Sequence, residues 1–446
     1  MACGCVAMQP VTRTLAAGLL AIVAVGSSNG FAGTILASAT RTKAFTSTSK
    51  SEVPVPLKDD GALALEFTTT ADNQTVKITY DAECVVTGTR GKWASVRILV
   101  DGNEANPPSG TEFALCSAVD AAGQTWNAAA RQSIFKVPTT GNHAVTVLGR
   151  LNVGFNPGGG TWRLDDSSLV VETAVVASAT RTDGFQSTTA SPDPPAALPL
   201  KQNGGKTVPF TTSKNNAVVR ISYNAECNLA APQPGRVVEL LFGVDGSGVN
   251  PGGVQRPLCG SVDTAGKTWF GAVSQFAFKV PTAGDHALTM FGILNVGSGS
   301  WQLDDTSIVV ESAVRASALR TNAFVSTSTR EIALPLTNNG AETLKFTTAN
   351  PNQLVAITFN ARCSIAAPRG TWVSIRVVVD GQEADPASGG DFALCSSLEP
   401  TIFSHVTALR QSVVTVPIAG EHTVQIFAKA SATADWNLDF TSVVVK

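Results

Sequence analysis

A closing phrase with two adjacent aspartates occurs three times in this 446-residue chain, and paired acids are the first residues to test for chemistry. The phrase begins at Trp162, Trp301 and Trp436. Two carboxyl groups at a suitable separation can hydrolyse a glycosidic bond. Strand alternation places the second acid on the same face as the tryptophan. In the third copy Phe440 replaces that acid, so a charge there is not obligatory. The first acid is present in every copy, as Asp165, Asp304 and Asp439.

A second set of shared acids stands before glycine, at Asp101, Asp245 and Asp380. Asp-Gly between apolar runs predicts a tight hairpin, because Gly tolerates positive φ and Asp accepts local backbone hydrogen bonds. Three matched histidines begin an alternating strand, at His143, His286 and His422. A catalytic histidine would need a partner that recurs in every copy, and no Ser-His-Asp grouping repeats. We therefore predict histidines at the rim of the core with hydrogen-bonded ring nitrogens, and no enzyme activity.

These motifs recur because most of the chain is a tandem repeat. ASATRT at 37–42 returns at 177–182 and, as ASALRT, at 316–321. Each copy is long enough to bury its own core. The predicted boundaries are 33–173 for repeat 1, 174–312 for repeat 2 and 313–446 for repeat 3. The joins lack the Gly, Ser and Pro tracts of flexible linkers, so we expect a rod of closely coupled domains.

The strand pattern within a copy is direct. From Val76 to Cys84 apolar residues alternate with Lys77, Thr79, Asp81 and Glu83. A period of two with one wet face predicts an antiparallel strand on a core. The next strand is predicted from 93 to 100. No stretch has a sustained helical period. The predicted fold class is all-β, with three tandem antiparallel β-sandwich (jelly-roll-like) domains.

Six cysteines follow the first segment of the chain, at Cys84 and Cys116, Cys227 and Cys259, and Cys363 and Cys395. The members of each pair are 32 positions apart. Identical spacing in three copies predicts one internal disulfide per repeat. A metal site would need more ligands at short spacing.

The first 32 residues match a secretory signal peptide. Arg13 precedes an apolar run at 15–25, and small residues follow as far as Ala32. The run is too short to span a bilayer, and no other segment of the sequence is a candidate span. A net charge of −2 gives no electrostatic case for nucleic acid. We predict a secreted protein, extracellular, periplasmic or on the cell surface.

The closing strand resembles that of jelly-roll, galactose-binding-like carbohydrate-binding modules, on about ten residues per copy. The resemblance implies a structural calcium, with Asp165 and Asp304 as ligand candidates and Asp439 as a weaker one beside Phe440. The alternative is a polar strand end without metal. The strand spacing is also similar to the trimeric C1q/TNF jelly rolls, which would imply oligomerisation and protein recognition. The repeated unit looks like those of exported bacterial β-sandwich proteins of unknown activity.

Aromatic rings are the second carrier of sugar binding. Trp126 and Trp269 follow a matched Ala-Gly-x-Thr turn and are the candidate ligand-binding platforms, unless they fold over the sandwich end. The tryptophans of the closing phrase are predicted to lie in the core. The leading prediction is a non-enzymatic protein that binds carbohydrate through tandem modules. The alternative is a structural or adhesive surface protein whose repeats act as spacers or self-associate, and a hydrolase is the third. The sequence leaves the ligand and the oligomeric state open.

Overall fold

A computed structural model describes residues 34–110, 112–153, 158–191, 194–230, 236–248, 256–260, 268–295, 297–398 and 404–446. The predicted signal peptide at 1–32 lies outside these ranges. Within them every regular element is a β-strand, and no helix is long and apolar enough to cross a membrane.

The described part of each repeat contains eleven strands. Repeat 1 contains β1 (Ile35–Arg41), β2 (Phe45–Ser47), β3 (Val53–Pro54), β4 (Ala64–Thr69), β5 (Gln74–Val86), β6 (Trp93–Val100), β7 (Asn103–Glu104), β8 (Ala114–Ser117), β9 (Asn127–Val137), β10 (Gly141–Asn152) and β11 (Trp162–Glu172). Repeat 2 contains β12 (Val175–Arg181), β13 (Phe185–Ser187), β14 (Ala196–Ala197), β15 (Thr207–Thr212), β16 (Ala217–Ala230), β17 (Val237–Val244), β18 (Ser247–Gly248), β19 (Arg256–Gly260), β20 (Trp269–Val280), β21 (Gly284–Leu294) and β22 (Ser300–Glu311). Repeat 3 contains β23 (Ala316–Arg320), β24 (Phe324–Ser326), β25 (Ile332–Ala333), β26 (Leu344–Thr348), β27 (Gln353–Ala366), β28 (Trp372–Val379), β29 (Gln382–Glu383), β30 (Ala393–Ser396), β31 (Ser404–Val416), β32 (Gly420–Ala430) and β33 (Asp435–Val445).

Each repeat is a sandwich of a five-stranded and a six-stranded antiparallel sheet. In repeat 1 the five-stranded sheet has the order β1-β11-β5-β9, and β2 also pairs with β11. The six-stranded sheet has the order β3-β10-β6-β7, with β4 on β10 and β8 on β6. The same order returns in the other repeats. The predicted all-β, jelly-roll-like sandwich class is therefore confirmed.

The core of each sandwich lies between its two sheets, and a disulfide joins them. In repeat 1 the bond links Cys84 of β5 to Cys116 of β8, with a Cα–Cα distance of 6.1 Å. The bonds Cys227–Cys259 and Cys363–Cys395 repeat it. The predicted pairing is confirmed. Because disulfides persist in oxidising environments, these bonds are typical of extracellular proteins.

Local signals placed the turn after β6 correctly. Asp101 and Gly102 follow Val100 with φ of 50° and 78°. Two successive positive φ values give the hairpin the twist of its flanking strands. Asp245 and Asp380 also have positive φ in the corresponding turns.

The polar face of β5 is not exposed to water, and that part of the prediction was wrong. Lys77 and Asp81 are each 1% exposed, and Glu83 is 6% exposed. Each of the three binds a residue of another repeat, because this face of the five-stranded sheet packs against the rest of the chain.

The three repeats pack around a common axis, so the expected rod was also wrong. Strands β9, β20 and β31, which are equivalent in the three repeats, contact one another. Ala130, Val273 and Leu409 form a buried apolar cluster where these strands meet. Each repeat therefore contacts both of the others.

The contacts between repeats run in one direction. We call the β5–β11 side of repeat 1 its acceptor face and the β8–β9 side its donor face, and use the same names for the equivalent strands. One hydrogen bond, from a backbone N–H to a side-chain oxygen, repeats at each junction. It runs from Gln132 N to Asn224 Oδ1 (3.1 Å), from Gln275 N to Asn360 Oδ1 (3.4 Å) and from Gln411 N to Asp81 Oδ2 (3.1 Å). Thus repeat 1 donates to repeat 2, repeat 2 to repeat 3, and repeat 3 to repeat 1. The result is a closed ring with junctions 1–2, 2–3 and 3–1.

An axial ion cluster joins the three repeats at a second set of contacts. It consists of Lys77, Arg220, Lys446, Glu172 and Glu311, all at most 2% exposed. Lys77 Nζ lies 2.7 Å from Glu172 and 3.0 Å from Glu311. Arg220 is 2.8 Å from Glu172 and 2.7 Å from Glu311. Each carboxylate therefore contacts cations from more than one repeat, as buried charges require.

Candidate functional site

A Thr-His-Asp arrangement occurs in every repeat, and the sequence analysis missed it. In repeat 1 His143 Nδ1 lies 2.7 Å from Asp101 Oδ2, and Nε2 lies 3.1 Å from Thr69 Oγ1. The matching sets are Asp245, His286 and Thr212, and Asp380, His422 and Thr348. A search for polar residues shared by all three copies would have revealed it.

This arrangement is a structural clamp. His143 Nε2 also lies 3.0 Å from the carbonyl oxygen of Thr139. Thr69 Oγ1 lies 3.0 Å from the same carbonyl oxygen, which only accepts, so the Thr69 hydroxyl donates to the backbone and not to the ring. Thr69 is also buried, which keeps it from a substrate. The histidine thus fixes the end of β4 against the turn after β6, and the predicted hydrogen-bonded ring nitrogens are confirmed.

The second aspartate of the closing phrase lies in a β-bulge. The register of β11 on β5 shifts between Asp165 and Ser168, and Asp166 has φ of 40°. A bulge breaks the period of two, so Asp166 does not lie on the core face with Trp162 as the alternation predicted. Charged groups of repeat 3, Arg410 among them, act on Asp166. Asp305 and Phe440 occupy the same bulge in the other repeats.

The first aspartate of the closing phrase has different hydrogen-bond partners in different repeats. Asp165 and Asp304 each accept a hydrogen bond from the next backbone N–H, at 3.2 and 2.9 Å. Burial raises the pKa of both carboxyls. Asp439 instead binds Arg362, with its Oδ1 2.6 Å from Nε and its Oδ2 bound by Nη2. Both of its oxygens are therefore bound by a cation of the same repeat, and calcium at Asp439 stays the weaker prediction.

Among the residues that the structure describes, no group of three or more Asp, Glu, His or Cys side chains is arranged to hold a metal ion. Calcium needs six to eight oxygen ligands. A calcium ion at Asp165 and Asp304 stays a prediction, with ligands beyond these two still to be found.

Trp126 and Asp165 lie on the same side of repeat 1, linked by Arg163. The Arg163 guanidinium lies 4.9 Å from the centre of the Trp126 ring, which is half-buried. Asp165 is two residues further along the same strand, on the same face as Arg163. Arg163 Nε has no hydrogen-bond partner in the described part of the chain. A ring, a cation and a carboxylate thus stand side by side.

This site borders the junction with repeat 3, since Ser396 Oγ donates to the carbonyl oxygen of Trp126. In repeat 2 the half-buried Trp269 has an equivalent position, and Ser117 Oγ donates to its carbonyl oxygen at junction 1–2. Gln302 takes the place of Arg163 by register, two residues before Asp304.

In repeat 3 the strand register places His405 where repeats 1 and 2 have tryptophan. Ile402 and Phe403, which lie nearby in the sequence, are outside the described residues. The third repeat therefore differs from the others at this position.

The tryptophans of the closing phrase belong to the core, as predicted. Trp162, Trp301 and Trp436 are fully buried. Each packs on a phenylalanine of the preceding short strand, with ring centres 5.2–5.7 Å apart. A Cβ at Gly149 would lie 2.5 Å from the Trp162 ring, so glycine is required beside it.

A small cavity lies where all three repeats meet. Its lining includes Leu115, Leu258 and Val406, one residue from each repeat, and its volume is about 40 Å³. Ligand pockets usually measure about 300–1,000 Å³. The cavity is therefore too small for a sugar ring.

Carboxyl groups outnumber cations at junction 3–1. Burial raises the pKa of Asp81 and Glu83 to about 8 and that of Asp166 to about 7. The positive charge of Arg410 acts on all three carboxyl groups and offsets part of the rise in their pKa. Asp81 and Glu83 therefore hold protons at pH 7, and Asp166 is about half-protonated there.

Junction 1–2 repeats the arrangement. Burial raises the pKa of Glu226 well above its usual range and that of Asp305 to about 7. Arg131 of repeat 1 faces both.

Comparisons with solved structures give matches of low similarity. A tandem pair of CBM22 modules from Paenibacillus barcinonensis Xyn10C is 12% identical with a TM-score of 0.17, and the match covers 63% of this chain and 99% of that one. Tandem CBM51 modules of a family 98 glycoside hydrolase from Streptococcus pneumoniae are 10% identical with a TM-score of 0.15, over 60% of this chain and 99% of that one. A peptide-N(4)-(N-acetyl-β-D-glucosaminyl) asparagine amidase is 9% identical with a TM-score of 0.26, over 59% of this chain and 96% of that one. No protein-family model matches the chain, and no characterised protein matches its sequence. TM-scores this far below 0.5 establish neither a ligand nor an activity.

Proposed function

We propose that this protein is a secreted, non-enzymatic carbohydrate-binding protein with one site at Trp126 and a second at Trp269. The observation that carries the proposal is the grouping of Trp126, Arg163 and Asp165 on one face. The apolar face of a pyranose stacks on the indole ring, and the guanidinium and carboxylate bind its hydroxyl groups. Such a mixture of aromatic surface with a few polar groups is typical of small-molecule sites.

Two linked sites give a purpose to the repetition. Binding at one site makes binding at the second intramolecular, so overall affinity for a polymeric glycan exceeds that of either site. The ring holds the two sites at a fixed separation, which favours ligands with repeated sugars.

The test is a glycan-array screen of residues 33–446, in calcium and again in EDTA. Trp126→Ala and Trp269→Ala should each weaken binding about 30-fold, as expected when a central aromatic is truncated, and the double variant should abolish it. Ile418→Ala is the control, because Ile418 is an exposed apolar residue in the turn between β31 and β32 of repeat 3, which carries no proposed site. Binding that EDTA removes would support calcium at Asp165 and Asp304.

A structural or adhesive surface protein is the second candidate. The buried axial ion cluster favours it, because three repeats fixed to one another make a rigid spacer. If folded and oxidised protein binds no glycan on the array, the result would contradict the carbohydrate proposal and favour this one.

A further inference from the structure

Junction 2–3 is built differently from the other two. At junctions 1–2 and 3–1 a glutamate of the acceptor face accepts a backbone N–H of the donor face. Glu226 Oε1 accepts from Ala114 N at 2.6 Å, and Glu83 Oε1 accepts from Ala393 N. In repeat 2 the register of β19 on β17 places Pro257 at the position of these two alanines. Proline has no N–H, so this bond cannot form at junction 2–3.

Other residues at junction 2–3 differ in a matching way. Arg362 stands where the other acceptor faces have glutamate, and Glu239 stands where the other donor faces have serine. Arg362 Nη1 lies 3.6 Å from Glu239 Oε1. Phe440, in place of the second acid of the closing phrase, packs its ring centre 4.8 Å from the Arg362 guanidinium. The acceptor face of repeat 3 thus has a cation in place of an acid and the donor face of repeat 2 gains an acid, although the buried Arg256 stays on β19.

A junction built in this way disfavours the other faces. The buried Arg131 of repeat 1 and Arg410 of repeat 3 act electrostatically on the acids of the acceptor faces that they meet, and Ser274 occupies this position in repeat 2. Against either arginine, Arg362 would meet a second cation. Glu239 would likewise meet a carboxyl group on any other acceptor face, and Pro257 would offer that group no N–H. A buried cation beside a second cation, and a buried carboxyl group that has lost its N–H donor, are both unfavourable, so these pairings are disfavoured.

We propose that junction 2–3 is a lock that fixes the direction in which the repeats follow one another around the axis. Three similar junctions can close a ring in the order 1–2–3 or in the order 1–3–2. The second order places the donor face of repeat 1 on the acceptor face of repeat 3. It also places the donor face of repeat 2 on the acceptor face of repeat 1. Both are mismatched. The same lock prevents repeat 2 or repeat 3 from pairing with its own counterpart in a second copy of the chain, so specificity rests on repulsion as well as attraction.

Two cysteine pairs report the direction of the ring. In the native order the side chains of Gln132 and Ser307 are in contact, with Nε2 3.3 Å from Oγ. Gln132→Cys with Ser307→Cys therefore forms a cross-link in the native order. Ser442 takes the place of Ser307 in repeat 3, so Gln132→Cys with Ser442→Cys cross-links only in the reversed order.

The decisive variant makes junction 2–3 resemble the others. It carries Glu239→Ser, Pro257→Ala, Arg362→Glu and Phe440→Asp. In the native background only the first cysteine pair should cross-link, as read by peptide mass spectrometry. In the variant the reversed cross-link should rise at least about tenfold, which corresponds to about 1.4 kcal/mol of lost discrimination. A variant that still gives only the native cross-link, in unchanged yield, would overturn the proposal and assign the direction to the connecting segments.

A charge exchange gives a second test if the fourfold variant does not fold. Arg362→Glu alone should shift the urea midpoint downward, and adding Glu239→Arg should recover at least half of that shift, because the double variant restores opposite charges. Arg376→Glu is the matched control, since Arg376 pairs with Glu331 inside repeat 3 and should not change the cross-linking pattern. Equal shifts in the single and double variants, or no shift in either, would contradict the lock.

Discussion

Raising the pH from 5 to 8 should weaken the closed ring. Burial raises the pKa of Glu83 and Asp81 to about 8, whereas such groups titrate near pH 4 in an unfolded chain. Between those values the folded protein holds protons that the unfolded chain has lost, so the free energy of unfolding falls as the pH rises. One carboxyl contributes about 1.4 kcal/mol per pH unit across this window. Glu83 alone therefore accounts for about 3 kcal/mol between pH 5 and pH 8.

At acid pH the dependence reverses, and the free energy of unfolding falls as the pH falls. The reason is that the carboxylates of the axial ion cluster then lose their charge. Burial alone would raise the pKa of Glu311, but Arg220, Lys446 and Lys77 lower it to about 2. The ion pairs of Glu311 stabilise the fold fully when the pH is above the ordinary pKa of a glutamate. This stabilisation is lost as the pH falls toward 2. The two trends place maximum stability at about pH 5.

Calorimetry from pH 4 to pH 8 checks this prediction. The Tm should fall between pH 5 and pH 8, by about 5 °C for Glu83 alone and further for the other buried acids. Glu83→Gln keeps an oxygen for the N–H of Ala393 but cannot titrate, so its slope should be shallower. Glu66→Gln removes an exposed carboxyl of β4 and should leave the slope unchanged. Stability that is constant or rises from pH 5 to pH 8, or a full slope in Glu83→Gln, would refute the view that buried junction acids are protonated.

Two further substitutions test the supports of the ring. Replacing Cys84 and Cys116 by serine opens a loop between residues 32 positions apart and should cost roughly 3–4 kcal/mol of unfolding free energy, seen as a lower urea midpoint. An unchanged midpoint under oxidising conditions would contradict this. Arg220→Met leaves two buried carboxylates short of a cation and should cost about 3–5 kcal/mol. Lys345→Met, which breaks an exposed pair, should cause no measurable change, and equal losses in both variants would argue against the cluster.

Much of each sandwich was predictable from sequence because its signals are local. The strand predicted at 93–100 is β6 with the same bounds, and the Asp101-Gly102 turn follows it. The disulfides followed from equal spacing in three copies. These features depend on residues that lie close together along the chain or recur at a fixed distance.

The ring was not predictable in this way. A polar strand face in water and a polar face against another repeat have the same alternation, so the surroundings of Asp81 were misjudged. Its hydrogen-bond partner, Gln411, is 330 residues away. The bulge at Asp166 also lacks a signal, since one extra residue changes the face without changing the composition. The grouping of Trp126 with Arg163 likewise depends on two strands that only the folded sheet brings together.

The divergence of repeat 3 looks like decay in the sequence, but the ring gives it a purpose. Three identical chains around an axis must build three identical junctions, whereas one chain with three copies can alter each junction separately. Arg362 and Phe440 use that freedom at junction 2–3. The proposed binding sites border the other two junctions, at Trp126 and Trp269, where the glutamate-to-backbone contact is kept. His405 replaces the tryptophan beside junction 2–3. Under these two proposals, locking and binding lie at different junctions of one ring, which accounts for the absence of both the second aspartate and the loop tryptophan from the same repeat.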